Sequence, residues 1–408
     1  MRAPRLDVHL HGAAVAMNGG SPDAPLFLRG KRIAARAPGR AFRVDLRGHR
    51  VFPGLVNAHD HLHLNAVPPL PHDQPFPNSY AWIEAFQAHF LSPGVAAALR
   101  VSKATRLRHG ALKNLLAGVT CVAHHDPWHA VFDAADFPVA VPRGHGWSYA
   151  LGWPGYGPPV RESFAATPPD RPWLIHLAEG TDAVARGELA ELERLGGLAA
   201  NSVLVHGVGL SEDDVERILA RGAAVVWCPC SNLALLGRTL DPHRLAGAGR
   251  LALGSDSRLS GARDLLEELR EAARHGLGSD TLLDLVTGAA AGILRLAPRG
   301  SLAPGAPADL VIVEDRGGEP AASLVGRARA ELRAVVRDGR PLIADPDFAD
   351  WFDAAGVAAV PVRLDGRPKL LARELAEPAL LALEPGLEPM PIQRTGTPQA
   401  APARGCAG

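Results

Sequence analysis

Residues able to hold a metal ion recur in this chain at the ends of apolar runs. The first case is Pro53-Gly-Leu-Val-Asn-Ala-His-Asp-His61, in which His59 and His61 follow the apolar run 51–56. Alternate side chains of a strand share a face, so both imidazoles can reach one ion. Pro53-Gly54 interrupts the run and sets the backbone just before the pair. A lone His-x-His is as readily a pair of ordinary surface or core histidines. Three more polar residues close apolar runs, however: His176 after Trp173-Leu-Ile, His206 after Val203-Leu-Val, and Asp256 after Leu251-Ala-Leu-Gly-Ser. Strand ends that deliver histidines and an aspartate to one place meet the need of an open catalytic metal site. Hydrolysis there also needs a base for water and an acid for the leaving group.

Residues 53 to about 300 alternate short apolar runs with helix-like stretches. The runs are 51–56, 119–123, 139–141, 174–176, 203–206, 223–227 and 251–253; the helical stretches include 95–116, 182–195, 212–221 and 262–275. Such alternation predicts a (β/α)8 TIM barrel, whose active sites lie at the C-terminal ends of the strands. The proposed ligands fall there. Short β-like pieces at 6–10, 26–33 and 43–46 are paired in expectation with 308–313 and 332–337, and Asp338-Gly339 gives a hairpin turn signal. The expected division is residues 1–52 and 301–345 as the two parts of a small β-sandwich domain built from both chain ends, 53–300 as the barrel, and 346–408 as an extension. The Pro- and Ala-rich end, 393–408, reads as disordered.

Seven landmarks in order resemble the metal-dependent amidohydrolase superfamily, in its branch of aminohydrolases acting on cyclic nitrogen compounds. They are Pro-Gly-Leu-Val-Asn-Ala-His-Asp-His (53–61), Ala-Gly-Val-Thr-Cys-Val (117–122), His-Leu-Ala-Glu (176–179), Val-Leu-Val-His (203–206), Cys-Pro-Cys-Ser-Asn (228–232), Gly-Ser-Asp (254–256) and Gly-Ala-Pro-Ala-Asp-Leu-Val (305–311). The resemblance implies one divalent ion held by His59, His61, His176 and Asp256. It implies that Asp256 also accepts the proton of the attacking water, that His206 orients the water or polarises the group under attack, and that Glu179 shuttles a proton to a ring nitrogen and then to the departing amine. The donor set suits zinc and iron(II), with intrinsic affinity favouring zinc. Binuclear relatives carry a lysine that 119–124 lacks, so a single ion is expected, with a second ion on His124 or His125 as the alternative. Deamination of an amino-substituted heterocycle is the implied reaction, with ring opening of a cyclic amide as the alternative and a non-catalytic binding protein as the reading from another class. Glycine stands at 209, and Ser-Arg-Leu-Ser-Gly follows Asp256, where nucleoside deaminases of the branch differ. The substrate itself is therefore left open.

Two long insertions, 65–91 and 126–171, hold much of the aromatic content of a chain with only 5% aromatics, and the second, with its glycines among prolines, reads as loop. Trp82, Trp128 and Trp153 are the expected pocket wall, with loop packing the alternative. Arg258, two residues past Asp256, is a candidate grip on a substrate oxyanion or else a surface ion pair. Acidic and basic residues balance at 43 each, which removes a general electrostatic reason to bind nucleic acid or anionic membrane. No stretch reads as a signal peptide or approaches the roughly 20 apolar residues of a span. Four cysteines show no disulfide framework, so a cytoplasmic compartment is the default and Cys228-x-Cys230 reads as packing. The expected partner is a small-molecule substrate, and a homodimer would be unsurprising.

Overall fold

The computed structural model describes residues 6–12, 14, 15 and 25–391. The end 393–408 lies outside them. Among the described residues, five parallel strands run in the order Leu251–Leu253, Ala224–Trp227, Ser202–His206, Trp173–Leu177, Gly146–Trp147, and Leu55–Asp60 pairs in parallel with Val119–His124. Backbone bonds join the two sets: Ser255 and Asp256 both donate to the His59 carbonyl at 3.1 Å. On the far side an isolated parallel bridge links Cys121 to Ala140, the centre of the expected strand 139–141.

Nearly every residue of these strands is buried, as in parallel sheets covered on both faces. Val56, Leu174, Val203, Val205 and Val226 pack into one apolar cluster. Their neighbours Leu55, Ile175, Leu204, Val225 and Trp227 pack into another, with leucines of the helices Lys103–Leu116 and Ala183–Arg194. Period-two alternation thus separates an inner core from a helix layer. The helices start where their caps say they should. Asp182 accepts from Ala185 N, and Ser211 makes a full capping box with Asp214 at the head of Glu212–Arg221.

Three sequence expectations need correction. The run 51–56 is two strands in two sheets, His49–Pro53 in a mixed sheet and Leu55–Asp60 in the parallel one. Gly54 is the crossing point, since a Cβ there would sit 2.4 Å from Thr120 Oγ1 and 2.9 Å from Asp309 Cβ. The helix expected over 95–116 is Pro93–Arg100 and Lys103–Leu116, broken by an extended Val101 and restarted by Ser102, whose side chain accepts from Thr105 N. The insertion 126–171 is not loop throughout: it carries the strand Gly146–Trp147 and the helix Val160–Ala166.

An eight-stranded mixed sheet combines Ala14–Val15 and His49–Pro53 with strands from Leu310–Glu314 onward. Its hairpin at Asp338-Gly339 has both residues at positive φ, 52° and 75°, the conformation a two-residue turn requires. The sheet continues past residue 345 through Ala359–Leu364, Arg367–Ala372 and Leu387–Pro389. A four-stranded sheet is formed by Asp7–His11, Leu26–Arg29, Arg32–Ala34 and Phe42–Asp45. No described helix is long and apolar enough to cross a membrane. Cys121, Cys228 and Cys230 are free thiols.

Behind the first strand lies a fully buried polar knot. Lys113 Nζ donates to Asp60 Oδ2 (2.8 Å) and Asn65 Oδ1 (2.9 Å), and Asn114 Nδ2 donates to the same Asp60 oxygen at 2.8 Å. Asn57 Nδ2 donates to Ser255 Oγ at 2.7 Å, which ties the start of one ligand strand to the end of another. A buried carboxylate stripped of its cation is costly. Lys113→Met should therefore lower stability by about 3–5 kcal/mol in denaturant unfolding; a loss under about 1 kcal/mol would show the knot to be dispensable.

Candidate active site

Asn57 and Asp60 both face outward to Asn114, which strict alternation over three residues forbids. The pairing register shifts between them, and this bulge turns His59 and His61 inward together. His176 arrives by ordinary alternation from Leu174, and Asp256 stands three residues past the end of the strand Leu251–Leu253. His206 would point outward like Leu204, but its backbone φ of 78° re-aims the ring into the pocket. Asp256, at φ 49°, shares this left-handed conformation. Non-glycine residues held there mark functional sites when their surroundings enforce the geometry.

The four expected ligands meet. Asp256 Oδ1 stands 3.8 Å from both His59 Nε2 and His61 Nε2, and His61 Nε2 lies 3.2 Å from His176 Nε2. Both ring nitrogens of buried His59 lack a hydrogen-bond partner. Unpartnered lone pairs facing a carboxylate and two more imidazoles fit a divalent cation. The outer atoms are held. His61 Nδ1 bonds Asp126 Oδ2 (2.8 Å), His176 Nδ1 bonds the Tyr149 carbonyl (2.8 Å), and Asp256 Oδ2 accepts from Ser231 (2.8 Å) and Ser260 (2.6 Å). Such partners fix the tautomer and aim of ligands. His125 is buried against the same cage, its ring stacked 4.3 Å from His176 with Nε2 on the Ser148 carbonyl at 2.9 Å.

Charge follows these contacts. Burial holds His59 and His176 well below the usual histidine range. Burial also opposes charge on His61, but the Asp126 hydrogen bond overcomes it and raises the group to about 9. For Asp256, burial is outweighed by His61 and His206, which keep the carboxylate below its ordinary range. Glu179 moves the other way: burial raises its pKa. Its Oε1 is 3.4 Å from His206 Nε2, and His206 Nδ1 is fixed by Asn232 Oδ1 at 2.8 Å.

A cavity of about 250 Å³ opens over the cage, bordered by His61, His176, Glu179, His206 and Asp256. Trp82 and Trp153 line it, one from each long insertion, and Trp82 stacks on Phe86 (5.4 Å, 22°). Trp128 does not. It is 39% exposed, packs on Phe132 and lies under Arg143, beside a different cavity. Arg258 is also elsewhere engaged: its fork makes two bonds to buried Glu384, at 2.7 and 2.9 Å, and its Nε donates to the Arg263 carbonyl. The oxyanion-grip expectation fails because Glu384 already satisfies the guanidinium.

Sequence reasoning did not single out Asp126, Asn232, Ser231, Ser260 or Glu384. Asp126 stands two residues past the end of Val119–His124, the position of a barrel-mouth acid, and Ser231-Asn232 stand inside a recognised landmark, so both signals were present. Glu384 had none, being 126 residues from Arg258.

Residues 164–342 match the model of the amidohydrolase family. The chain carries an amidohydrolase family domain. The chain is 30% identical over 204 residues to a 5-methylthioadenosine/S-adenosylhomocysteine deaminase of Nitratidesulfovibrio vulgaris, a match covering 44% of this chain and 46% of that protein. It is 48% identical over 71 residues to an aminodeoxyfutalosine deaminase of Deinococcus radiodurans, 17% of each. The matches thus span less than half the length of these curated relatives. In structure the chain is similar to an adenosine deaminase from Xanthomonas campestris with bound zinc (TM-score 0.66, 22% identity, 86% of this chain and 97% of that one). It is also similar to a variant of the atrazine chlorohydrolase of Arthrobacter aurescens complexed with zinc and atraton (TM-score 0.67, 20% identity, 85% and 100%). The amidohydrolase domain accordingly has a TIM-barrel-like α/β fold.

Each of His59→Ala, His61→Ala, His176→Ala and Asp256→Ala should lower bound metal, measured by elemental analysis of the purified protein. Full occupancy in two of the four would refute the ligand set. For the wall, Trp153→Ala should raise KM about 2–10-fold, the worth of one aromatic contact, with metal retained. Trp128→Ala should leave KM unchanged, and an equal effect of both would dissolve the distinction.

Proposed function

We propose that this chain is a metal-dependent hydrolase of a carbon–nitrogen bond outside peptides, which deaminates an amino-substituted heterocycle. The observation that carries this reading is Glu179, a carboxyl at the rim of the cage, 3.4 Å from His206 Nε2, whose pKa burial raises. A protonated Glu179 can donate to a ring nitrogen of the bound heterocycle and, re-protonated from the attacking water, deliver a proton to the departing amine. His206, fixed by Asn232, orients the attacking water or polarises the carbon under attack. Asp256 keeps Oδ1 free toward the cage while Ser231 and Ser260 hold Oδ2, which suits it to accept a proton. A divalent ion, zinc by its donor set, would be held by His59, His61, His176 and Asp256, and when bound it makes water acidic enough to attack near neutral pH.

Trp82 and Trp153 suit a flat ring. The named relatives act, by their names, on 5-methylthioadenosine and related compounds, so adenine nucleosides are the first substrates to test. We further read the parallel strands as one closed (β/α)8 ring, supported by the bonds from Ser255 and Asp256 to His59 and by the Cys121–Ala140 bridge. The eight- and four-stranded sheets are read as a β-sandwich built from both chain ends.

The test is ammonia release from adenine nucleosides, aminated triazines and cyclic amides, with metal content measured on the same sample. Ammonia should appear in step with loss of an aminated ring. Consumption of a cyclic amide without ammonia would favour ring opening, and inertness of fully metallated protein to the panel would overturn the proposal. Glu179→Gln should retain metal and lose about 10²–10⁴-fold in turnover; near-native turnover would remove it from the mechanism.

A further inference from the structure

Asp126 has more neighbours than its bond to His61 explains. The ligand atoms of His63, His124 and Asp126 all lie within 4.8 Å of one another, outside the His59, His61, His176 and Asp256 cage. His63 Nδ1 approaches Asp126 Oδ2 to 3.5 Å without a hydrogen bond. His124 is buried; its Nδ1 accepts from Leu62 N at 3.3 Å, so a neutral ring carries its proton on the unpartnered Nε2, and an ion on Nε2 moves that proton to Nδ1 in place of this long contact. The remaining contact of the carboxylate is the Tyr156 hydroxyl, which donates to Oδ1. An aspartate that only oriented His61 would not need two further imidazoles with unpartnered nitrogens around it.

The placement is equally specific. His63 and Asp126 border the cavity over the cage, whereas His124 and Asp126 border a separate cavity of about 240 Å³. The trio therefore stands in the wall between two spaces, and solvent ions have a route to it. The backbone aims the side chains there: His63 sits in the short 3-10 turn Leu62–Leu64 just past the ligand pair, and His124 ends the strand Val119–His124.

We propose that His63, His124 and Asp126 form a second and weaker cation site, suited to a divalent transition metal. Two imidazoles and a carboxylate select zinc, cobalt or nickel over magnesium or calcium, and three protein donors leave at least one position for water. Asp126 is shared. An ion on the trio competes with the His61 Nδ1–H for the same carboxylate oxygen, so filling the second site loosens the aim of a ligand in the first. Excess metal should accordingly inhibit the enzyme. This inference does not depend on which carbon–nitrogen bond is cleaved.

The experiment is equilibrium dialysis of purified holoprotein against rising free Zn²⁺ or Co²⁺, with bound metal counted by elemental analysis and Co²⁺ followed by its visible spectrum. Wild-type protein should take up a second ion at higher free metal than the first, with a distinct cobalt band. His124→Gln and His63→Gln should each lose that second ion and keep the first, and inhibition by excess metal should shift at least tenfold upward or vanish. His63 lies at the cavity edge, so its variant and the wild-type titration decide the matter even if His124→Gln fails to fold. Wild-type protein that saturates at one ion overturns the proposal, as does a second ion that persists in both folded variants, which would place it on other histidines.

Discussion

Four strand ends in this molecule converge on a space where lone pairs face lone pairs. His61 Nε2 and His176 Nε2 stand 3.2 Å apart, Asp256 Oδ1 faces two imidazoles at 3.8 Å, and His59 has nothing to bond on either nitrogen. Burial drives His59 and His176 toward neutrality, and although the Asp126 hydrogen bond raises His61, an ion would displace the proton from its Nε2. Neutral imidazoles and an ionised carboxylate aimed at one point are the donor state of a metal cage. Most other features of the site keep those donors from turning away.

They do so from behind. Asp126, the Tyr149 carbonyl, Ser231 and Ser260 grip the outward atoms of the ligands. The buried Lys113–Asp60 pair anchors the strand between its two histidines, and the bonds from Ser255 and Asp256 to the His59 carbonyl lock the last ligand to the first. The left-handed backbone at His206 and Asp256 is held by the same packing. A site arranged before substrate arrives spends little on reorganisation during reaction. The C-terminal segment joins this scaffold through Glu384, which pairs with Arg258 two residues past Asp256 and also accepts from His109 and Arg329.

The ligand candidates were legible because a barrel puts its chemistry at strand ends, and a polar residue closing an apolar run is visible in one dimension. His59, His61, His176 and Asp256 are each of this kind. What holds them was harder to read. Asp126 partners His61 across 65 residues and Glu384 partners Arg258 across 126, and no spacing rule spans such distances. Arg258 therefore looked free. Trp128 illustrates the same limit: aromatic content marked the right insertions, but side-chain direction depends on packing, and Arg143 and Phe132 hold this ring away from the cage. The run 51–56 misled for another reason, since two strands in different sheets can be continuous in hydrophobicity when only Gly54 separates them.

The most direct test of the cage is anomalous diffraction from crystals of the purified protein, recorded on either side of the absorption edge of the metal it carries. The account predicts an anomalous peak about 2.0–2.2 Å from nitrogens of His59, His61 and His176 and from an oxygen of Asp256. Density there without an anomalous signal, with the imidazoles bridged by water, would contradict it.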